Sequence, residues 1–162
     1  MDIKEHTTPE KLEKYSFLWS EIRLVIAAIA MFLGGVPPIL FLIPVSVSFG
    51  LVGSLLTLSW LISGAASIYL LYVWNNSGRM LFGGKKKQDT ISFFVMVISG
   101  FNLGIAGILG TNIGMALSSN KIVFVFTGIV YIITAVYLKK RWKSSGKKLF
   151  KAETAHDSGR IS

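Results

Sequence analysis

Residues 24–78 read LVIAAIAMFLGGVPPILFLIPVSVSFGLVGSLLTLSWLISGAASIYLLYVWNNSG, 55 positions without one charged side chain. A soluble domain averages about 25% charged residues. This chain of 162 residues has 15%, with 52% hydrophobic residues and a mean hydropathy of +0.59. No water-soluble domain of this size has a core large enough to hide such a run. In a bilayer the run is at home as helix, because a helix satisfies its own backbone hydrogen bonds. The stretch therefore predicts an all-α integral membrane protein.

Outward from that run, about 20 apolar residues are needed per crossing. Four segments meet the requirement: 22–45, 51–74, 91–117 and 122–138. They define a four-helix transmembrane domain over 22–138, between an amphipathic segment at 1–21 and a basic tail at 139–162. Pro37, Pro38 and Pro44 predict a kink or break in the first span, since proline removes an N–H and clashes with the preceding turn. The third span is longer than one crossing needs, so it is expected to tilt or to end early near Gly114.

Positive charge orients the bundle. Arg79, Lys85, Lys86 and Lys87 lie between the second and third spans, and Lys139, Lys140, Arg141, Lys143, Lys147, Lys148 and Lys151 follow the fourth. The other two loops have only Lys121 at their margins. Basic residues gather on cytoplasmic loops, which puts both termini and the middle loop in the cytoplasm and the protein in the cytoplasmic membrane. Trp19, Trp74 and Trp142 fall at the same ends, where indole favours the interface. Thr8-Pro9 reads as a helix start. From it, Leu12, Tyr15, Trp19 and Ile22 form an apolar stripe expected to lie on the membrane surface.

The chain also repeats itself. Tyr69-Leu70, Trp74, Ser77-Gly78 and Leu81-Phe82 recur 68 positions later as Tyr137-Leu138, Trp142, Ser145-Gly146 and Leu149-Phe150. Glu21 and Asp89 correspond at the same offset. The pattern predicts two tandem helical hairpins in parallel orientation, related by an axis along the membrane normal.

Helices associate in lipid through small residues that let backbones approach. Gly100, Gly104, Gly107, Thr111 and Gly114 step along one face of the third span, and Gly64 and Ser67 lie on a similar seam of the second. These are the expected helix-packing residues. Asn102 and Asn112 are the most polar side chains at depth. On a continuous helix they stand about 15 Å apart, so each is expected to bond a neighbouring helix separately. Glu21 and Arg23 read as edge residues, Glu21 pairing with Arg23 or a neighbour.

Chemistry is scarce. The chain has no Cys, and His6 and His156 lie in the polar tails, so no metal site or cofactor is expected. No paired carboxylates, nucleophile triad or phosphate loop is present, and Gly83-Gly84-Lys85 is too short to be one. The protein is expected not to be an enzyme. The net charge of +9 follows from topology rather than from nucleic-acid binding.

Three functions remain. The leading expectation is an accessory or structural subunit of a larger membrane complex, with other membrane subunits as partners. The alternatives are a small homo-oligomeric channel or facilitator, and an anionic-lipid-binding protein. The last would use Arg79, Lys85, Lys86, Lys87, Lys139, Lys140, Arg141, Lys143, Lys147 and Lys148 at the leaflet surface.

Overall fold

A computed structural model describes residues 8–42, 49–117 and 120–150. The described chain is helical: α1 (Pro9–Phe32), α2 (Ile39–Leu42), α3 (Phe49–Asn76), α4 (Lys87–Leu109), α5 (Ile113–Leu117) and α6 (Lys121–Ser144). Four of these, α1, α3, α4 and α6, are long and apolar enough to cross a membrane.

The first helix does not lie where hydropathy alone puts it. It starts at Pro9, behind an extended Thr8, and ends at Phe32. Two consecutive glycines stop it: Gly34 (φ 76°) and Gly35 (φ 89°) take left-handed backbone, and the Gly35 N–H returns to the Ala30 carbonyl at 2.8 Å. Pro37 and Pro38 then prevent resumption. The expected span 22–45 is thus replaced by a 24-residue helix about 36 Å long that absorbs the N-terminal stripe into its own length. A separate surface helix over that stripe is not formed. Pro44 lies outside the described residues, as do His6 and residues 151–162, Lys151 and His156 among them.

The third long helix also stops short of 91–117. Gly110 caps it in left-handed conformation (φ 70°), and the chain turns back into the short α5.

Side-chain bonds fix the arrangement. The Tyr69 hydroxyl donates to the Pro9 carbonyl at 3.3 Å, Lys139 meets Glu21 at 2.8 Å, and Arg141 meets Asp89 at 2.7 Å. The start of α1, the end of α3, the start of α4 and the end of α6 therefore share one end of an up-down bundle, the end that carries the basic residues. The core is concentrated there, built from Phe17, Leu70, Phe93, Met96, Leu138 and Trp142. The opposite end is thin, and Leu42, Ile108 and Ile122 are exposed on it.

Two turns close the basic end in the same way. Gly78-Arg79 and Gly146-Lys147 have φ values of 64° and 60°, and of 72° and 62°. The Arg79 N–H returns to the Trp74 carbonyl at 3.0 Å, as the Lys147 N–H does to Trp142 at 2.9 Å. Behind each turn a Leu-Phe pair folds into the core: Leu81-Phe82 and Leu149-Phe150 are all buried, joined where the Phe82 N–H donates to the Leu149 carbonyl at 2.7 Å. Glu13 of α1 seals this lid by accepting from the Leu149 and Phe150 N–H groups at 2.8 and 3.2 Å.

Candidate functional site

Starting α1 at Pro9 moves Arg23 inward. Its guanidinium reaches Ser99 Oγ at 3.0 Å and the Met96 carbonyl at 2.7 Å, both on α4. Ser99 is ten residues beyond Asp89, about 15 Å along the axis, near the midpoint of that helix. Arg23 is 6% exposed. It is therefore no edge residue and no partner of Glu21, whose carboxylate takes Lys139 instead.

A guanidinium keeps its charge and presents five N–H donors. Two are used here, and Nε is buried without a partner. The described carboxylates are engaged elsewhere. Glu10 pairs with Lys148, Glu13 with the Leu149 and Phe150 amides, Glu21 with Lys139, and Asp89 with Arg141. Arg23 is a buried cation with no acidic partner among the described residues.

Arg23 also lines a cavity of about 620 Å³. Ile22, Ile26 and Ala30 of α1 form one wall, and Leu56, Trp60 and Ser63 of α3 the other. Pro37, Pro38, Thr111 and Asn112 close over the thin end. At the basic end the Trp19 indole N–H donates to Ser63 Oγ at 3.0 Å, and Ser63 donates to the Ser59 carbonyl at 2.6 Å. Below that bond lies the packed core, so the cavity is a blind pocket between α1 and α3, with Leu103 of α4 at its back.

The small-residue seam explains how the pocket is held. A β-carbon on Gly104 would lie 2.7 Å from Gly64 Cα, so the two backbones touch. On Gly107 it would press on Leu61 at 3.2 Å. On Gly100 it would collide with Ser67 Oγ and come within 3.0 Å of Arg23 Nη2. Gly100, Gly104, Gly107, Gly64 and Ser67 thus belong to one α3–α4 contact, and Gly100 leaves the space into which Arg23 passes. Thr111 and Gly114 do not continue the seam, because α4 has ended. Thr111 lines the pocket instead, and Gly114 lies beside the side chains of Asn102 and Asn112.

The two asparagines meet. The turn at Gly110 carries Asn112 back so that Asn102 Nδ2 donates to Asn112 Oδ1 at 2.8 Å, and the Gly114 N–H donates to Asn102 Oδ1 at 3.3 Å. The 15 Å separation held only for an unbroken helix.

The basic residues divide. Lys139, Arg141 and Lys148 are committed to carboxylates, and the Arg141 guanidinium also lies over the Phe82 ring at 5.3 Å. Lys85, Lys86, Lys87, Lys140, Lys143 and Lys147 are exposed, as is Arg79, 6.0 Å from the Trp74 ring centroid. Leu149, Phe150 and Trp142 are core rather than lipid-facing: Trp142 packs on Phe17 with centroids 5.4 Å apart.

Sequence reasoning missed Arg23 and the pocket. The signal was present in the spacing from Thr8-Pro9 to Gly34-Gly35, a helix whose middle third includes Arg23.

Among the described residues no group of three or more His, Asp or Glu stands where it could hold a metal. Four long apolar helices place the chain with integral membrane proteins. Comparison with known families, with curated proteins and with solved structures finds no match.

Proposed function

We propose that this chain is a non-catalytic multi-pass membrane protein whose working part is the pocket beside Arg23, a ligand site inside the bundle. In this reading both termini and the 77–86 loop are cytoplasmic, and the exposed lysines of that end face an anionic leaflet. One observation carries the proposal: a buried cation without an acidic partner lines a cavity whose volume falls in the roughly 300–1,000 Å³ range of ligand pockets. Ionisable groups held inside a membrane mark functional sites, because their desolvation is expensive.

Tandem duplication of a hairpin supports the same account. The matched turns at Gly78-Arg79 and Gly146-Lys147 are what two copies of one unit would share. At the offset of 68, Trp19, Arg23 and Ser63 correspond to Lys87, Ile91 and Tyr131. Trp19, Arg23 and Ser63 line the pocket from the first copy, and Thr111 and Asn112 line it from the second.

The accessory-subunit reading drew on the lack of chemistry in the spans and on their small-residue packing faces. Gly100, Gly104 and Gly107 meet α3 within the chain, so this seam is used inside the bundle. A facilitator is the second reading, favoured because Thr111, Asn112, Ser59 and the Pro37–Pro38 turn do converge on one cavity. Within one chain, the packed core lies below that cavity at the basic end.

The test is native mass spectrometry of protein extracted in mild detergent, comparing wild type with Ala30→Phe, which fills the pocket. A small-molecule adduct retained by wild type and lost from Ala30→Phe is expected. Identical adduct profiles would count against a ligand site.

A further inference from the structure

We infer that the pocket takes an anionic amphiphile drawn from the bilayer, a single acyl chain with a carboxylate or phosphate head, its head against Arg23 and its tail along Ile22, Ile26 and Ala30. This rests on the reading of the pocket as a ligand site and names the ligand's chemistry.

Three observations converge. Arg23 lines the cavity with no counter-ion among the described residues, its Nη1 and Nη2 bonded to α4 and its Nε buried without a partner. A planar guanidinium matches carboxylate and phosphate oxygens better than any neutral group. An uncharged guest would leave that charge buried and unpaired, the costly arrangement for an ion out of water. The remaining walls are mostly apolar, from Ile26, Ala27, Ala30, Met31, Leu56 and Leu103. A small anion would gain the guanidinium but leave the apolar walls without a partner. An acyl chain is the complement that fits them.

The third observation concerns the way in. Ile22 and Ile26 line the pocket and are also 57% and 50% exposed, so its wall runs continuously onto the outer apolar surface of α1. α6 contributes no lining residue, which leaves the α1–α3 side facing outward. A guest that already resides in the membrane enters laterally, while Trp19 and Ser63 close the basic end.

The experiment uses the full chain in neutral detergent with three probes: oleate, oleyl alcohol as its uncharged counterpart, and acetate as a carboxylate without a tail. Binding is followed by equilibrium partition of labelled probe, at matched mole fractions in the micelle, and by the rise in unfolding temperature that a native-state ligand causes. Oleate is expected to bind wild type about tenfold or more tightly than oleyl alcohol, the size of one charge-assisted hydrogen-bonded contact. Acetate is expected not to bind. Arg23→Gln should abolish the preference for oleate and leave oleyl alcohol unchanged. Should Arg23→Gln not fold, the wild-type ratio of the two lipids decides alone.

Equal binding of oleate and oleyl alcohol, both lost in Ala30→Phe, would overturn the anion inference and leave the pocket as a neutral-ligand site. Acetate binding as tightly as oleate would replace the amphiphile with a free small anion. No binding of any probe to wild type would remove this inference, and, joined to unchanged adducts in Ala30→Phe, the ligand site with it.

Discussion

Gly64 and Gly104 stand back to back across α3 and α4, each so close that a β-carbon on one would lie 2.7 Å from the Cα of the other. No flexible side chain is available to move aside, so the helices themselves must part. Gly104→Ala is expected to destabilise the bundle by about 1–3 kcal/mol, the range of an overpacked core. Gly53→Ala is the matched control: its β-carbon would meet nothing within 4 Å, and alanine favours helix by about 1 kcal/mol. Thermal unfolding in detergent should show the two variants moving in opposite directions. Loss of stability in both would mean that glycine itself, rather than the close approach, matters at these positions.

Asp89 is fully buried and receives three hydrogen bonds, two from Arg141 at 2.8 and 2.7 Å and one from the Tyr137 hydroxyl at 2.7 Å. Removing one partner of a buried pair leaves the other charge uncompensated, at roughly 3–5 kcal/mol. Asp89→Ala should approach that loss, discounted because Arg141 is a quarter exposed. Glu10→Gln, which breaks the exposed pair with Lys148, should cost under about 1 kcal/mol. Comparable effects from both would show that the Asp89 cluster is solvated.

Leu149 lies fully buried beyond the last helix, with its amide held by Glu13. If it locks the basic end, Leu149→Ala should cost about 2–5 kcal/mol, as buried leucines do. A leucine that merely dips into lipid would be replaced with little change in the unfolding temperature.

Asn102 and Asn112 hold the turn after α4 at the thin end. Asn112→Ala is expected to cost roughly 0.6–2 kcal/mol, the scale of hydrogen bonds between membrane segments. Its effect should be absent when Asn102 is already alanine. Additive losses in that double-mutant cycle would show that the two side chains act apart.

The four apolar helices were legible in the sequence because hydropathy and length suffice to find them. The position of the first was not. A hydropathy window centres on the most apolar run, whereas the helix is set by its end signals, Thr8-Pro9 and Gly34-Gly35. Moving its start from residue 22 to residue 9 converts Arg23 from an edge charge to a buried one. The contact between Asn102 and Asn112 was hidden for a related reason, since periodicity assumes a continuous helix and Gly110 ends it. Gly100, Gly104 and Gly107 could be read from spacing alone, because small residues at intervals of three and four mark a packed face whatever lies across it. What lies across it, α3 and not another subunit, required the fold.

An anionic amphiphile held beside Arg23 would lie against Trp60, which lines the same pocket. Bromine quenches indole fluorescence on close approach, so titration with dibromostearate reports occupancy directly. Wild type is expected to show a saturable loss of fluorescence that dibromostearate methyl ester does not reproduce and that Trp60→Phe largely removes. Equal quenching by acid and ester, or quenching that never saturates and survives in Trp60→Phe, would rule out an anionic amphiphile in the pocket.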